Sequence, residues 1–445
     1  MLARSMLLLV VAVAMPAWCQ VEPSATGSTT ISLDDDRMMI PPPVSGLPYP
    51  NKAASDSGAS YASAGLAFHT AYIDNVLPGV TSKPVNDMTY AVLPTLSLEE
   101  DTSRQETSLS YSPSIVFYQQ TSALDTVDHS AAATFLYRAS PYVTISAQNY
   151  FVRTSNVYDQ SFAFNQAGVS GGTQISSSVL ILPFTTQLQD NASGTVGYQY
   201  GRNGMVGAGG MFGVFNLPNN TASTGLYNSH SVGGMAYFVR RFTRASYAGF
   251  TYQYGRIVAS PTSGQLVTQM HSFTPFITYY FNRAFSASVT AGVQRVDVTL
   301  SSSQITSSWE PTALASIGWQ GEKGYFSTNY SRTTTSGEGL LGAYTANSAN
   351  ASGGWKISPT WIGKIGGAYS IIKNLSPLMY SSFGSGHQIL GQVSTSHSFG
   401  EHFNAEIGYE RLHQNYNSIT VIAVNPDSNQ EFVTLTYQFR RNLGR

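Results

Sequence analysis

Apolar and polar residues alternate along most of this chain. Phe285, Ala287, Val289, Ala291 and Val293 take turns with Ser286, Ser288, Thr290, Gly292 and Gln294, the period of two that marks a strand with unlike faces. Leu109, Tyr111, Ile115 and Phe117 repeat the pattern. The cleanest example comes last, in FVTLTYQFRR, where Val433, Leu435, Tyr437 and Phe439 oppose Thr434, Thr436 and Gln438. About 18 such segments lie between 62–73 and 430–440, most near the roughly 9–11 residues of a tilted membrane strand. Short links such as ASP, NG, RRFTR, NRA and KISP alternate with links that mostly run from about ten residues upward, so short turns fall on one side of the sheet and long loops on the other.

Aromatic residues flank the short turns: Tyr137 and Tyr142, Phe281 and Phe285, Trp319 and Tyr325, Trp355 and Trp361, Phe399 and Phe403. That spacing predicts a ring at one membrane interface, where amphipathic rings sit between headgroups and acyl chains. The pattern predicts an all-β fold, a transmembrane antiparallel up-and-down β-barrel of about 18 strands (about 16–20), with short periplasmic turns and long extracellular loops. Closure removes the exposed edges of so wide a sheet, and it requires the last strand to pair with the first, near GLAFHTAY at Gly65 to Tyr72.

Composition supports this. Only 11% of the 445 residues are charged while 12% are aromatic, against about 25% charged in an ordinary soluble domain. An aromatic-rich soluble sandwich would need charge on its outer face, and these strands carry almost none. Residues 1–19 read as a Sec signal peptide, with Arg4, the apolar MLLLVVAVAM and a cleavage site at AWC. Trp18 stands where a lipoprotein signal places a small residue, which argues against lipidation of Cys19. Residues 20–60 lack a sustained period and read as a disordered periplasmic leader, with a docking peptide in IPPPVSGLPYP as the alternative. The barrel is expected over 61–441 and a short tail over 442–445. A net charge of -1 argues against a nucleic-acid partner.

Over Tyr61 to Arg441 the chain resembles the bacterial outer-membrane porin-type β-barrel family. The resemblance implies that Val433, Leu435, Tyr437 and Phe439 form a signal for the barrel-assembly machinery, although here RRNLGR follows Phe439. It implies surroundings of outer-membrane lipid, export by Sec to the outer membrane, and the possibility of a homo-oligomer. It also implies that the long loop after the fifth strand, 154–191, folds inward as a constriction, with Asp159, Phe162, Phe164, Val179, Leu180, Phe184 and Asp190 as candidates. The family's constriction carries clustered acids, whereas this loop offers only the two aspartates.

Face parity assigns Lys364, Glu406 and Glu410 to the lumen. Tyr252, Tyr254, Phe276 and Tyr280 share the parity of their strands' polar faces, and so either offer stacking surfaces to sugars or face lipid after a bulge. Glu406 and Glu410 flank Gly408 on one face, which reads as solvated wall in preference to a catalytic pair. His387, His397, His402 and His413 match no metal or nucleophile motif. No catalytic residue, metal or cofactor is expected. About 16–18 strands leave an aqueous channel, so the expectation is passive diffusion of small neutral or weakly charged solutes of unknown identity. A plugged structural or surface-interaction barrel and a polysaccharide export conduit are the alternatives.

Overall fold

The computed structural model describes residues 60–444, apart from 79, 82, 103, 156–157, 159–184, 219–226, 261–264, 283, 301–303, 322, 336–342, 376–384 and 417–425. Eighteen antiparallel strands form one sheet. In chain order they are β1 (Ser60–Ile73), β2 (Asp87–Asp101), β3 (Gln105–Tyr118), β4 (Thr126–Arg138), β5 (Val143–Thr154) and β6 (Gln187–Tyr200). Then follow β7 (Gly204–Asn216), β8 (Ser229–Thr243), β9 (Ser246–Ala259), β10 (Leu266–Tyr280), β11 (Phe285–Leu300) and β12 (Gln304–Gln320). The circle ends with β13 (Gly324–Thr335), β14 (Tyr344–Lys356), β15 (Trp361–Asn374), β16 (Gly386–Phe399), β17 (Phe403–Tyr416) and β18 (Asp427–Gly444).

Each strand pairs with its neighbours in sequence, and β1 pairs with β18 to close the barrel. At that seam Phe68 faces Leu435, Ala64 faces Phe439 and Thr70 faces Val433. Closure leaves no row of backbone N–H and C=O groups facing lipid, where each unsatisfied group would cost several kcal/mol. The pairing continues past Arg441, with Tyr61 opposite Asn442 and Ser60 opposite Gly444. Residues 442–444 therefore belong to the barrel and are not the separate tail that their lack of alternation suggested. Two turns on the short side use the left-handed region that glycine tolerates, at Gly201 (φ 67°) and Gly400 (φ 70°).

The links on the opposite side are less uniformly long than the sequence suggested. Residues 74–86, 155–186 and 375–385 are long, yet 119–125 is short because β4 begins at Thr126, and 260–265 and 301–303 are short because β9 to β12 extend beyond their most apolar stretch. The strand β12, expected near 311–320, begins at Gln304, since hydrogen-bonded pairing with β11 continues through Asp297–Ser307 to Leu300–Gln304.

The outer face is apolar and exposed. Leu66, Phe68, Leu96, Ile277, Val433 and Leu435 all point outward, and Ile365 is 67% exposed. Such a surface requires a bilayer, since each of these side chains is worth about 1.5–3 kcal/mol when taken out of water. Near the short turns Tyr437, Phe399, Phe403, Trp361, Trp355 and Phe281 stand exposed on that face, with Trp319 stacked on Trp355 at 6.4 Å. The fold defines a membrane-spanning β-barrel.

An outward cation in the middle of the apolar band is expected to destabilise the barrel by about 2–4 kcal/mol, and an inward one by less than about 1 kcal/mol. Val433→Arg and Thr436→Arg, three residues apart in β18 and on opposite faces, supply the comparison. Equilibrium unfolding in lipid measures both, and equal losses would contradict the assignment of faces.

Candidate functional site

With the outer face committed to lipid, any passage lies along the inner wall, which is polar on one arc. Even-numbered positions of β16 and β17, even-numbered positions of β18 and odd-numbered positions of β1 point inward. Lys364 of β15 reaches across β16 to the Glu406 carboxylate of β17 at 3.3 Å. The partners' side chains are 43% and 23% exposed, so solvent limits this pair to within about 1 kcal/mol, while it cancels the charge of both. Glu410 is buried, with Gln392 on one side and Gln430 on the other in the strand register. His69 of β1 places Nδ1 2.9 Å from the Thr434 hydroxyl and Nε2 3.2 Å from the Gln430 amide nitrogen. Its ring stacks on Phe432 with centroids 5.4 Å apart.

Phe432 breaks the polar run of its face, and Gly408 explains how it fits. A Cβ on Gly408 would lie 2.4 Å from the Phe432 ring, so the ring occupies the space that a side chain on β17 would take. The same device recurs where Tyr237 lies over Gly207. The inward arc from β7 to β10 is apolar at its short-turn end, where Met205, Tyr237, Val239 and Phe276 pack with Tyr247.

The outer mouth is narrowed from within. Tyr158, the start of the long link after β5, is 3% exposed. It packs with Ile73, Val76 and Leu412, against which Leu77, Tyr118 and Leu390 also rest. Its hydroxyl meets Ser428 Oγ at 2.8 Å, and burial pushes that hydroxyl well above its ordinary pKa. Ser428 is on the inward face of β18, with Gln430 and Thr434, so Tyr158 has crossed inside the rim.

The link 74–86 folds inward beside it. Ser428 Oγ donates to the Asn75 carbonyl at 2.7 Å, and Asn75 Nδ2 donates to the Asp427 carbonyl at 2.9 Å. The Asp74 carboxylate accepts from the Asn429 backbone N–H at 2.7 Å and from its side-chain amide at 2.6 Å. Two further aspartates bind neighbouring links. Asp87 accepts from the backbone N–H groups of Gln120 (3.0 Å) and Thr121 (2.7 Å), and Asp128 from the Thr154 hydroxyl (2.9 Å) and the Ser155 N–H (3.2 Å). Across the mouth Val296, Val298 and Leu266 form a second inward apolar group with Ala259 and Ala343.

Of the residues selected from the sequence, Asp159, Phe162, Phe164, Val179, Leu180 and Phe184 lie outside the described residues. Asp190 requires correction: β6 begins at Gln187, and Asp190 sits on that strand's outward face, where Asn149 Nδ2 donates to it at 2.7 Å. The loop ends earlier than its composition suggested because Gln187 to Asn191 already pair with β5. Tyr252 and Tyr254 also require correction. They share the outward face with Phe250, and the Tyr252 hydroxyl meets His271 Nδ1 at 2.8 Å. The lumen face of β9 is the alternate set, Gly249, Thr251, Gln253 and Gly255. Tyr280 points inward, edge-on to Tyr247 at 5.8 Å. Lys364, Glu406 and Glu410 point inward as described above. Val433, Leu435, Tyr437 and Phe439 line the outward face of β18. Tyr158, His69 and the link 74–86 were not selected. The only sequence signal for the link is an aspartate-asparagine pair followed by Val76 and Leu77, apolar residues that a fully exposed loop would not need.

No family model matches the sequence, and no curated protein matches it. Solved structures similar in fold include Pseudomonas aeruginosa OpdO, at 9% identity and a TM-score of 0.42 over 86% of this chain and 99% of that one. Acinetobacter baumannii OccAB4 is similar at 10% identity and a TM-score of 0.41, over 87% and 100% of the two chains. The FrpB iron transporter of Neisseria meningitidis (F5-1 variant) is similar at 11% identity and a TM-score of 0.42 over 79% of this chain, which spans 63% of the FrpB length.

Replacing Gly408 with valine is expected to displace Phe432 from the wall and cost about 1–3 kcal/mol. Gly391→Val, at an outward position with nothing within 4 Å, is expected to change stability by less than about 0.5 kcal/mol. Thermal unfolding followed by the gel mobility of the unheated barrel compares the two.

Proposed function

We propose that this protein is a diffusion channel of the bacterial outer membrane, passing small neutral or weakly charged solutes. One observation carries the reading: Tyr158 is folded inside the mouth and hydrogen-bonded to the inward-facing Ser428, which supports reading the link after β5 as a constriction of a lumen. The link 74–86 narrows the same mouth. Charge on the wall is low because Lys364 and Glu406 neutralise each other, which favours weak ionic selectivity. About 18 strands enclose a lumen wide enough for water. The reading needs no covalent step, cofactor or metal. It takes outer-membrane lipid as the surroundings, reached by Sec export, and the barrel-assembly machinery as the folding partner.

A second reading has an observation of its own. Leu412 and Tyr344 on inward faces are fully buried, which favours a resting barrel closed inside its mouth. Single-channel conductance in a planar bilayer separates the two. Open steps in the wild-type protein support the channel, and larger steps are expected from Tyr158→Ala and from deletion of 159–184. A folded barrel that stays silent in wild type and in both variants contradicts the diffusion channel.

A further inference from the structure

Between Asp190 and Asp297 the chain contains seven arginines and no Asp or Glu. Three of the seven gather at the short-turn end of the barrel. Arg241 follows Tyr237 and Val239 on the inward face of β8, is 8% exposed and pairs in register with Tyr247. Its guanidinium stands 5.9 Å over the Tyr247 ring, and Nε donates to the Thr243 carbonyl at 3.3 Å. The Arg241 backbone N–H donates to the Asn203 carbonyl at 2.8 Å, which brings the turn carrying Arg202 alongside. Arg244 follows in the turn from β8 to β9, and both turn arginines are exposed. Among the described residues every ion pair lies elsewhere: Arg295–Asp297, Arg332–Glu310, Lys364–Glu406, Arg411–Asp427 and His413–Asp427. Around the wall, β4 and β5 separate the three arginines from Glu106, and β10 to β12 separate them from Glu322. A charge as far withdrawn from water as Arg241 is costly unless an anion meets it.

Beside the arginines the inner wall offers aromatic surface. Tyr280 stands edge-on to Tyr247 at 5.8 Å, and Met205, Tyr237, Val239 and Phe276 pack with Tyr247. A ligand suited to this place combines acidic groups with apolar ones. The chain ahead of β1 has that composition: Asp34, Asp35 and Asp36, then Arg37, then Met38, Met39, Ile40 and Pro41 to Pro43. Prolines in series favour an extended helix that docks on aromatic surfaces. These residues lie outside the described ones, but the segment joins the barrel at Ser60, which pairs with Gly444 at the short-turn end. Eighteen strands, about 4.8 Å apart and tilted by about 40°, form a ring about 35 Å across. In that ring β8 and β9 lie opposite β1. The 24 residues from Asp36 to Ser60 span up to about 80 Å when extended, so they cross the mouth with slack. Exposed ion pairs are individually weak, yet the tether keeps the acids near the arginines at an effective concentration of about millimolar.

We propose that residues 34–43 dock on Arg202, Arg241, Arg244 and the Tyr247–Tyr280 pair, which lays the chain ahead of β1 across the short-turn mouth. Docking is independent of whether the barrel conducts. Disulfide trapping tests it in the folded chain from Gln20 onward, which has no cysteine of its own. Asp35→Cys is combined either with Ala245→Cys, beside Arg244, or with Thr360→Cys, in the turn from β14 to β15. That second turn is nearer to β1 around the ring, so an undocked chain reaches it at least as often. The Ala245→Cys pair is expected to form at least about fivefold faster than the Thr360→Cys pair. Glutamine at all three arginine positions is expected to abolish the preference. Asp34→Asn with Asp36→Asn is expected to do the same while leaving the barrel unaltered, which keeps the test decisive if Arg241→Gln prevents folding. Gel mobility of the unheated barrel confirms that each variant is folded. Equal rates, or a preference for Thr360→Cys, in the chain with all three arginines overturn the proposal, and binding of polyglutamate then assigns those arginines to an acidic partner from outside. A preference for Ala245→Cys that survives in the folded glutamine or asparagine variants also overturns it.

Discussion

A backbone placed in hydrocarbon has no water to satisfy its N–H and C=O groups, and this constraint governs the whole molecule. A sheet meets it only by closing, so β18 must find β1 across the entire length of the chain. That pairing is long, running from Ile73–Gln430 to Ser60–Gly444, and outward side chains of both strands reinforce it. Once the sheet closes, every strand acquires one face in lipid and one in the lumen. The alternation of small polar residues with leucine, valine and aromatics follows from that geometry and needs no information about solute.

Closure also transfers the problem of specificity to side chains. With the backbone used up in the wall, the mouth is shaped by carboxylates that gather orphan N–H groups from the links. Asp87 and Asp128 each do this for a different link, while Asp74, itself on a link, takes the N–H of Asn429 in β18, and charge-assisted bonds of this kind are worth about 1.5–3 kcal/mol. These acids are therefore engaged in holding the mouth together. In the proposed channel, selection would fall to the paired Lys364 and Glu406, to the amides and hydroxyls of β16 to β18, and to the apolar arc facing them.

The sequence made the strands legible because lipid enforces a period of two on each strand, and all eighteen appear where the alternation placed them. It was less informative at the strand tops, where β11 rises out of the apolar band and its apolar residues change to the inward face at Val296 and Val298, and where β12 continues its pairing through Ser307 and Thr306. Face assignment failed at β9 for a related reason. Tyr252 and Tyr254 are amphipathic and suit either an interface or a wet wall, so the small residues between them, not the tyrosines, decide which face is inward. The folding of 74–86 into the mouth was illegible because its causes are distant: the bond from Ser428 to the Asn75 carbonyl joins residues 353 positions apart. Nothing near Asn75 in the sequence announces that partner.

The two ends of the barrel are held by different means. At the long-loop end the acids find backbone and side-chain donors within the protein, and cations such as Arg411 and Arg295 find acids. At the short-turn end the turns are too brief to fold back over the wall, and their polar groups bond within a single turn, as Thr102 does with Gln105, Ser140 with Val143 and Ser358 with Trp361. Turn length therefore determines how far a polar group can reach for its partner. This is why one rim is knitted together by contacts between distant segments, whereas the other is closed one turn at a time.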